Sequence, residues 1–378
     1  MIVAASDQPM TLELPAFSPF READAAFAAS AASVEIDLLS LDAWNQLVGK
    51  FVDASYEQTA CLLDDRWGAK RVSHLVVRRK DTVIGGTRLL LLKPPLLRGG
   101  LAQAKFAPFW RRHDRPADPA AYRSVVTAMI EEYCARRGCY LSIIPRPHPT
   151  YYSVEIAILA ELGFTVRHAS ADENRYFVDL SLGTDALMRS LDQKWRYNLR
   201  QALANDIEIR FGDDEASFAA FSSMHTAMLA RKRLHSDDAV HLLPELSARL
   251  PAMMRPRTVL ALHEGIPVAG AVIAISGDVA VYLFGASTDR ALPLKAGFAL
   301  QWSAVRRLAE QGVRWYDLGG GNRDLGLRQF KRGLVGKAGT VLPLRGEFAR
   351  WRGLGGRIVA DALHLARNAQ LAARALRS

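Results

Sequence analysis

The sequence predicts a mixed α/β protein of two tandem domains, each a mixed sheet flanked by helices, with one further helix at the C-terminus. Three observations support this prediction. The chain has 378 residues, and a domain usually contains about 100 to 200. Two β-rich segments broken by a turn occur far apart in the chain. Each is followed by a helix that ends at glycine and leads into a strand.

The first sign of a repeat is a pair of predicted β-hairpins, at residues 74–93 and 258–277. Lys80-Asp81 forms the turn of the first hairpin and Glu264-Gly265 that of the second. A glycine follows inside the second strand of each, and turn residues between β-rich segments are typical of hairpins. The two segments therefore predict the same unit twice.

After each hairpin, a predicted helix stops at a glycine and passes directly into a strand. Residues 122–137 precede Gly138 in the first half, and residues 298–311 precede Gly312 in the second. The first half adds a helix at 154–161 and a strand near 176–180, where we expect the first domain to close.

These elements predict a poorly ordered leader at 1–34, an N-terminal domain at 35–181, a C-terminal domain at 182–346 and an amphipathic helix at 347–378. The second domain is expected to begin with one basic helix, 184–205, capped by Thr184. In the last helix, leucines alternate with arginines. Such a helix either packs on the protein body or contacts an anionic membrane, and the sequence leaves both open.

Composition narrows the function classes. Lys and Arg number 49 against 39 Asp and Glu, a formal charge of +10, which favours anionic partners without naming one. No apolar run is long enough to span a bilayer, and acidic residues interrupt the leader, so we expect neither a membrane span nor a signal peptide. Three cysteines without metal-ligand spacing indicate a cytoplasmic protein, with peripheral contact at the inner face of the membrane left open.

Four short motifs succeed one another in the second half. They are GAS at Gly285–Ser287, LQW at Leu300–Trp302, YDLGG at Tyr316–Gly320 and FKRGLVG at Phe330–Gly336. This run resembles the Fem (FemABX) family of aminoacyl transferases, whose members share these four elements. More weakly, Gln58-Thr59 and Trp67-Gly68-Ala69-Lys70 are similar to the family's Gln followed by Trp-Gly-x-x-Lys. The resemblance covers about residues 38–344.

The resemblance implies two fused GNAT-like acyltransferase domains. It implies transfer of an aminoacyl group from a charged tRNA to an amine on a cell-envelope precursor, related to peptidoglycan or to a polysaccharide, with neither a metal nor a redox cofactor. It also implies that Lys70 contacts a phosphate of the acceptor, with Trp67 beside it in the same motif.

Three residues of the second half are candidates for the chemistry. Lys331 supplies a cation that can stabilise the oxyanion of acyl transfer; the alternative is a solvated charge on a loop. Phe330 either walls the channel of the donor, since aromatic faces stack on bases, or lies in the core. Asp317, at the end of a strand, orients Lys331, acts as a base with a raised pKa, or caps the glycine-rich loop.

Phosphate binding has its own candidates. Arginine offers a bidentate fork and lysine a point charge, which favours Lys194, Arg196, Arg200 and Arg231; solvated helix faces are the alternative. Gly320 and Gly321 allow backbone N–H groups to approach an anion, or simply form a tight turn. His148 and His225 lack a neighbouring nucleophile pattern, so we interpret both as structural.

Two other functions compete with the Fem-type prediction. An acyl-CoA-dependent N-acyltransferase, in exopolysaccharide or lipid-linked glycan assembly, needs a pyrophosphate loop at a helix N-terminus. Gly297 and Ala299 fit that loop, whereas Leu294 stands where Arg or Gln is usual. The second alternative is a non-catalytic protein that binds RNA or glycan through the same tandem fold.

Overall fold

A computed structural model describes residues 32–375 of the chain apart from 61–63, 65–66, 94–98, 169–173, 234–238, 251 and 321–323. The predicted leader therefore falls almost entirely outside the described residues. Its last three residues, 32–34, belong to a strand, which shortens the leader predicted at 1–34.

The structure alternates strands with helices along most of its length. The strands are β1 (Ala32–Ile36), β2 (Val72–Arg79), β3 (Thr82–Leu92), β4 (Gly100–Lys105), β5 (Cys139–Ile144), β6 (Thr165–His168), β7 (Asn174–Asp179), β8 (Glu208–Gly212), β9 (Arg257–His263), β10 (Ile266–Ser276), β11 (Val279–Ser287), β12 (Trp315–Asp317), β13 (Thr340–Pro343) and β14 (Glu347–Arg350). The helices are α1 (Leu41–Val48), α2 (Pro119–Met129, continued by a π-helical segment, Ile130–Arg136), α3 (Tyr152–Glu161), α4 (Thr184–Ser190), α5 (Gln193–Leu203), α6 (Glu215–Lys232), α7 (Leu243–Arg249), α8 (Ala296–Glu310), α9 (Leu325–Val335) and α10 (Gly353–Ala375).

Two seven-stranded mixed sheets form the frame. Their strand orders are β1-β2-β3-β4-β5-β14-β6 and β8-β9-β10-β11-β12-β7-β13. Strand by strand the two orders correspond, and each sheet has its parallel pair at the same place, β4–β5 in the first and β11–β12 in the second. The predicted hairpins are β2–β3 and β9–β10. The predicted fold of two related mixed sheets is confirmed.

The sheets exchange a strand, which the sequence did not predict. β7 was expected to close the first domain, but it pairs with β12 and β13 in the second sheet. β14 was expected to begin the last helix, but it lies between β5 and β6 in the first sheet. The boundaries at 181 and 346 therefore differ from the structure. Tyr176, Phe177 and Val178 of β7 are all buried, so this strand needs cover on both faces, which a central position supplies.

The basic helix predicted at 184–205 is two helices. Thr184 begins α4 without capping it, since the N-cap is Gly183 and makes no side-chain hydrogen bond. The chain then straightens at Leu191, and the Asp192 carboxylate caps α5 by accepting from the Lys194 N–H at 2.9 Å. Asp is a strong N-cap, and Leu191 is buried in the core. Together they favour a break over a continuous helix.

Helices cover both faces of each sheet. In the first half, α2 packs on one face through Tyr122 and Met129, while α1 and α10 cover the other. In the second half, α5, α8 and α9 share one core, and α6 packs opposite them through Phe218 and Phe221. Among the described residues, no helix combines the length and apolar character that a membrane span requires. This packing leaves the end of β12 facing α9, where the motif residues meet.

Candidate functional site

The site forms where β12 ends. Asp317 is its last residue and is buried. Its carboxylate accepts from Arg175 of β7, at 3.1 Å from Nε and 2.6 Å from Nη2, and from the Gly319 backbone N–H at 2.8 Å. Of the three roles predicted for Asp317, capping the glycine-rich turn is confirmed by this bond. Both of its oxygens already accept hydrogen bonds from Arg175 or Gly319, which disfavours a role as a base.

Lys331 lies close to this carboxylate, on a neighbouring helix. The FK motif was expected in a loop, but it lies on α9, whose Asp324 caps the first turn. The Lys331 side chain is buried rather than solvated, and its ammonium donates to the Gly320 carbonyl oxygen. It also lies 5.7 Å from the centre of the Tyr282 ring. The interpretation of Lys331 as a solvated surface charge is therefore wrong.

Burial and the charge of a neighbouring arginine change the pKa of this lysine. Burial, and to a lesser extent the charge of Arg175, lower the pKa of Lys331 to about 8, and Asp317 opposes this change. A buried lysine with a pKa near 8 remains mostly protonated at neutral pH. It is a cation whose charge is poorly solvated, so an anion forming nearby gains more from it than from an exposed lysine.

The other motif residues build the support around this lysine. The Tyr316 hydroxyl donates to the side-chain oxygen of Gln301 at 2.9 Å, which links the YDLGG strand to the LQW helix. Gly333 packs directly against Trp195, where any side chain would collide. Gly336 has a φ of 62° and touches the Ser190 carbonyl. The glycines of the FK motif thus let α9 approach the helices before it.

Phe330 connects this centre to a cavity. Its ring lies 4.9 Å from that of Phe298 and 5.8 Å from that of Trp195. The three rings line a cavity of about 430 Å³ between α5, α8 and α9, with Lys194, Arg332 and the acidic Asp192 also on its wall. Phe330 is half-buried, so it serves as cavity wall and core contact at once. Lys331 lies outside the lining and faces the end of β12 from the next position on α9.

The first half reaches the site through one aromatic ring. Phe106 follows β4 directly and has a φ of 49°. The Arg175 guanidinium lies 5.5 Å from the centre of this ring, and the Lys105 ammonium 5.2 Å. Lys105 also pairs with Glu57 at 2.7 Å. Phe106 therefore joins the first half to the Arg175–Asp317 pair.

The predicted phosphate ligands separate into free and occupied groups. Lys194 and Arg200 are both exposed on α5, but only Lys194 lines the cavity. Arg196 donates to the carbonyl oxygens of Arg189 and Leu191 at 2.7 and 2.8 Å. Arg231 donates to the Ser287 carbonyl and pairs with Asp289 at 3.2 Å. Arg196 and Arg231 therefore support local structure.

The remaining predicted residues are not gathered at Lys331. Trp67 and Lys70 are exposed on the first half, and neither lines the cavity. Gly320 contributes its carbonyl oxygen to Lys331, whereas the sequence had favoured its N–H as an anion donor. Gly321 lies outside the described residues.

A second buried cluster holds the two halves together. Asp278, in the turn after β10, accepts from Arg111 at 3.2 Å and is 3.1 Å from His148 Nε2. Burial alone would raise the pKa of Asp278, but the hydrogen bond from His148 and the charge of Arg111 hold it below its usual value. Arg146 is buried and donates to the carbonyls of Val52 and Ser276. His148 is thus a junction residue, in agreement with its structural interpretation. His225 is buried on α6.

Sequence reasoning missed Arg175, Lys105 and Phe106. Arg175 lies outside every motif, in a strand that was assigned to the other domain. Lys105-Phe106 carries a weak signal, a basic and an aromatic residue where a strand ends. This signal does not locate a site without the pairing of β7 with β12, because that pairing brings Arg175 to Asp317.

Comparisons with known proteins agree with this fold. Residues 189–332, which contain Lys331, match the acetyltransferase (GNAT) domain family. The crystal structure of FemX aligns with a TM-score of 0.69 at 16% identity, over 87% of this chain and 99% of that chain. A conserved protein of unknown function from Bacteroides thetaiotaomicron aligns with a TM-score of 0.55 at 12% identity, over 84% of this chain and 99% of that one.

Among proteins of curated function, none matches the sequence significantly. The structural alignments establish the fold, and the family match lies on the half that holds Lys331. The chain therefore has a Fem-like tandem GNAT fold, and its GNAT domain supports its assignment as an acyltransferase.

Proposed function

We propose that this acyltransferase moves an aminoacyl group from a charged tRNA to an amine on a cell-envelope precursor, of peptidoglycan or polysaccharide type. One observation carries the proposal. Lys331 is a buried cation beside the Arg175–Asp317 pair, and the adjacent residue on the helix, Phe330, lines an aromatic cavity with basic residues on its wall. The cavity suits a donor with bases and phosphates, and the cation suits the reacting carbonyl.

The chemistry follows from these positions. The acceptor amine attacks the ester carbonyl of the donor, and a tetrahedral oxyanion forms. The Lys331 ammonium donates a hydrogen bond to that oxygen, which lowers the barrier because the charge is already oriented and poorly solvated. As the intermediate collapses, the new C–N bond remains and the C–O bond of the ester breaks. The proton lost by the amine passes to the departing ribose oxygen.

Arg175 and Asp317 position the lysine in this scheme. Asp317 accepts from Arg175 and caps the turn that carries Gly320, whose carbonyl holds the Lys331 ammonium. The Asp317 carboxylate neutralises the charge of the Arg175 guanidinium. Lys331 is therefore the cation that acts on the reacting carbonyl in this proposal. Asp317 thus orients the turn and does not accept the proton of the amine.

We propose that the acceptor binds on the side of the site that the first half forms. Lys105 and Arg175 flank the Phe106 ring, and Lys70 adds an exposed charge on the first half. Lys105 is paired with Glu57 and Arg175 with Asp317, so in this proposal Lys70 contacts the phosphate of a sugar-linked precursor. The acceptor amine then approaches Lys331 from the first half while the donor approaches from the second.

A donor experiment tests the proposal. Charged tRNA and acetyl-CoA are titrated separately into the full chain at two salt concentrations, and transfer to an amine acceptor is followed with each donor. Lys331→Ala is compared with Lys337→Ala, an exposed lysine just beyond α9. We expect salt-sensitive tRNA binding, because phosphate contacts release counterions. We also expect a loss of transfer of about 100-fold to 1000-fold in Lys331→Ala and none in Lys337→Ala.

The other outcomes identify the alternatives. Transfer from acetyl-CoA alone, lost in Lys331→Ala, makes the protein an acyl-CoA-dependent N-acyltransferase. Binding of tRNA or glycan with no transfer from either donor makes it a binding protein. Equal transfer by the two lysine variants removes Lys331 from the mechanism.

Contact with an anionic membrane is proposed for the last helix. One face of α10 packs on the first sheet through Val359 and Leu363, while Leu354, Ile358 and Leu365 are exposed on the outer face. These three positions form one stripe, since they are separated by four and seven residues. Sedimentation with phosphatidylglycerol vesicles tests the contact. Ile358→Glu is expected to abolish binding, and equal sedimentation with phosphatidylcholine vesicles contradicts an electrostatic contribution.

A further inference from the structure

A second cavity lies in the second half, on the other end of α8. It has a volume of about 290 Å³ and is bounded by β8, β9, β10 and the last turn of α8. Its floor is the core itself, formed by the buried residues Val259, Ile273 and Leu308. Phe298 lines the first cavity and Arg307 lines this one, nine residues further along the helix. At 1.5 Å per residue they are about 14 Å apart, so the two cavities are separate.

Three arginines surround this apolar floor. Arg255, Arg257 and Arg307 line the cavity and are exposed. Beside them Phe211 is 41% exposed, with the Arg307 guanidinium 5.9 Å from its ring centre. An exposed aromatic ring beside an apolar floor gives the opening an apolar wall that water solvates poorly.

These arginines are not neutralised within the described part of the chain. None of the ion pairs formed by the described residues includes Arg255, Arg257 or Arg307, whereas Arg210, on the neighbouring strand β8, pairs with Glu208. In the hydrogen bonds among the described residues, Arg255 takes part only through its Nε, which donates to the Leu250 carbonyl at 3.1 Å. Three guanidinium groups therefore remain available to one ligand at the same opening.

We propose that this cavity binds an amphipathic anion, a carboxylate or phosphate carried on one short apolar chain. Guanidinium groups bind either anion through paired hydrogen bonds, and the floor of Val259, Ile273 and Leu308 takes the chain out of water. Ligand cavities usually span about 300 to 1,000 Å³, so a volume near the lower limit suits a single medium-length chain and not a two-chain lipid.

Gly277 shows that this cavity lies beside the contact between the two halves. It lines the cavity, and it approaches the backbone of Val52 in the first half so closely that a side chain would overlap the Val52 carbonyl. The next residue is Asp278, which pairs with Arg111 and His148. A ligand in this cavity therefore contacts the turn that joins the two halves, and it stabilises the folded chain as any ligand of the folded state does.

Calorimetric titration of the full chain tests the proposal. The probes are octanoate and octyl phosphate, which distinguish the two anions, with 1-octanol lacking the charge and acetate lacking the chain. Arg307→Gln removes one guanidinium from the cavity. Arg306→Gln is the matched control, because Arg306 is the preceding exposed residue of α8 and does not line the cavity.

We expect octanoate, octyl phosphate or both to bind, with 1-octanol and acetate at least about tenfold weaker. Arg307→Gln is expected to weaken binding about tenfold, which corresponds to about 1.4 kcal/mol, and Arg306→Gln to leave it unchanged. Lys331→Ala is expected to bind the anion normally, which separates this site from the proposed transfer. Absence of binding by both anions, equal binding of 1-octanol, or equal effects of the two arginine variants would overturn the proposal.

Discussion

The two halves share a strand order but differ in the residues beyond their second parallel strand. In the first half, β5 leads to Arg146 and His148, which are buried in the contact with the second half. In the second half, β12 ends at Asp317 and faces the buried ammonium of Lys331 beside an aromatic cavity. The same frame therefore joins the halves at one strand end and supports chemistry at the other. The side chains at the strand end, and not the fold, determine which role a half takes.

The strongest test of this difference is to remove the cation from the second strand end. Lys331→Met keeps the length of the side chain and removes its charge. We expect initial rates to fall about 100-fold to 1000-fold, with a melting temperature at or above that of the wild type because a buried charge is lost. Steady-state rates and thermal melting measure both quantities. A rate loss accompanied by an equal loss of folded protein would make Lys331 a structural residue.

The second test removes the charge beside that lysine. Arg175→Gln breaks the pair with Asp317, and we expect a loss of about 2 kcal/mol in unfolding free energy. Arg175 lowers the pKa of Lys331, so its removal raises that pKa above about 8. If the protonated lysine is the active form, the alkaline fall in kcat moves to higher pH. An unchanged pH profile, measured at saturating substrate, would contradict the assignment of Arg175 as a positioning residue.

The third test addresses the junction through Gly277. Gly277 and Gly265 both have positive φ, 62° and 73°, but only Gly277 has backbone against it. Alanine at Gly265 therefore introduces only the conformational strain, about 1 kcal/mol. Alanine at Gly277 adds a collision with Val52, and we expect a loss of about 2 kcal/mol in total. Urea unfolding of the two variants measures the difference. Equal losses would indicate that the two halves do not press together at this turn.

The fourth test concerns pH and the buried carboxyl group of Glu155. Burial raises the pKa of Glu155 to about 8, opposed by the hydrogen bond from Trp110 and by Arg111. The folded state then holds a proton that the unfolded state releases above about pH 4.5, so Glu155 makes stability fall as pH rises from there to about 8. Glu155→Gln is expected to be more stable than the wild type by up to about 4 kcal/mol at pH 8, since a difference of one in pKa corresponds to about 1.4 kcal/mol. At pH 4.5 we expect no difference. Denaturant unfolding at both pH values measures this, and an equal difference at both would show that Glu155 is ionised throughout.

The local pattern was enough to predict much of the fold. Both hairpins and the motif order follow from the sequence, and the order explains why Tyr316 meets Gln301. The partners of β7 and β14 could not be predicted, because a short apolar strand fits any sheet that lacks a strand. The FK motif was expected in a loop because of its resemblance to the family's motif, whereas it is helical and its glycines serve helix packing against Trp195 and Ser190.

The candidate site was predictable only as far as its motifs reach. Lys331, Phe330 and Asp317 lie together as the motifs indicated, but Arg175 required the tertiary pairing of β7. The basic residues on helices were recognised by charge alone. Charge does not distinguish Lys194, which lines the cavity, from Arg196, which holds two carbonyl oxygens.

The exchanged strands have a consequence for synthesis. β6 pairs only with β14 among the described strands, and β14 lies at residues 347–350, so the first sheet cannot be completed until residue 350 has left the ribosome. Most domains fold in order from the N-terminus as they emerge. The first half is therefore synthesised first, but its sheet is completed last. The edges of β5 and β6 that pair with β14 stay unpaired while the second half is translated. A chain whose synthesis stalls before residue 347 therefore exposes unpaired strand edges, which can pair with other chains. We expect chaperones to bind such a chain.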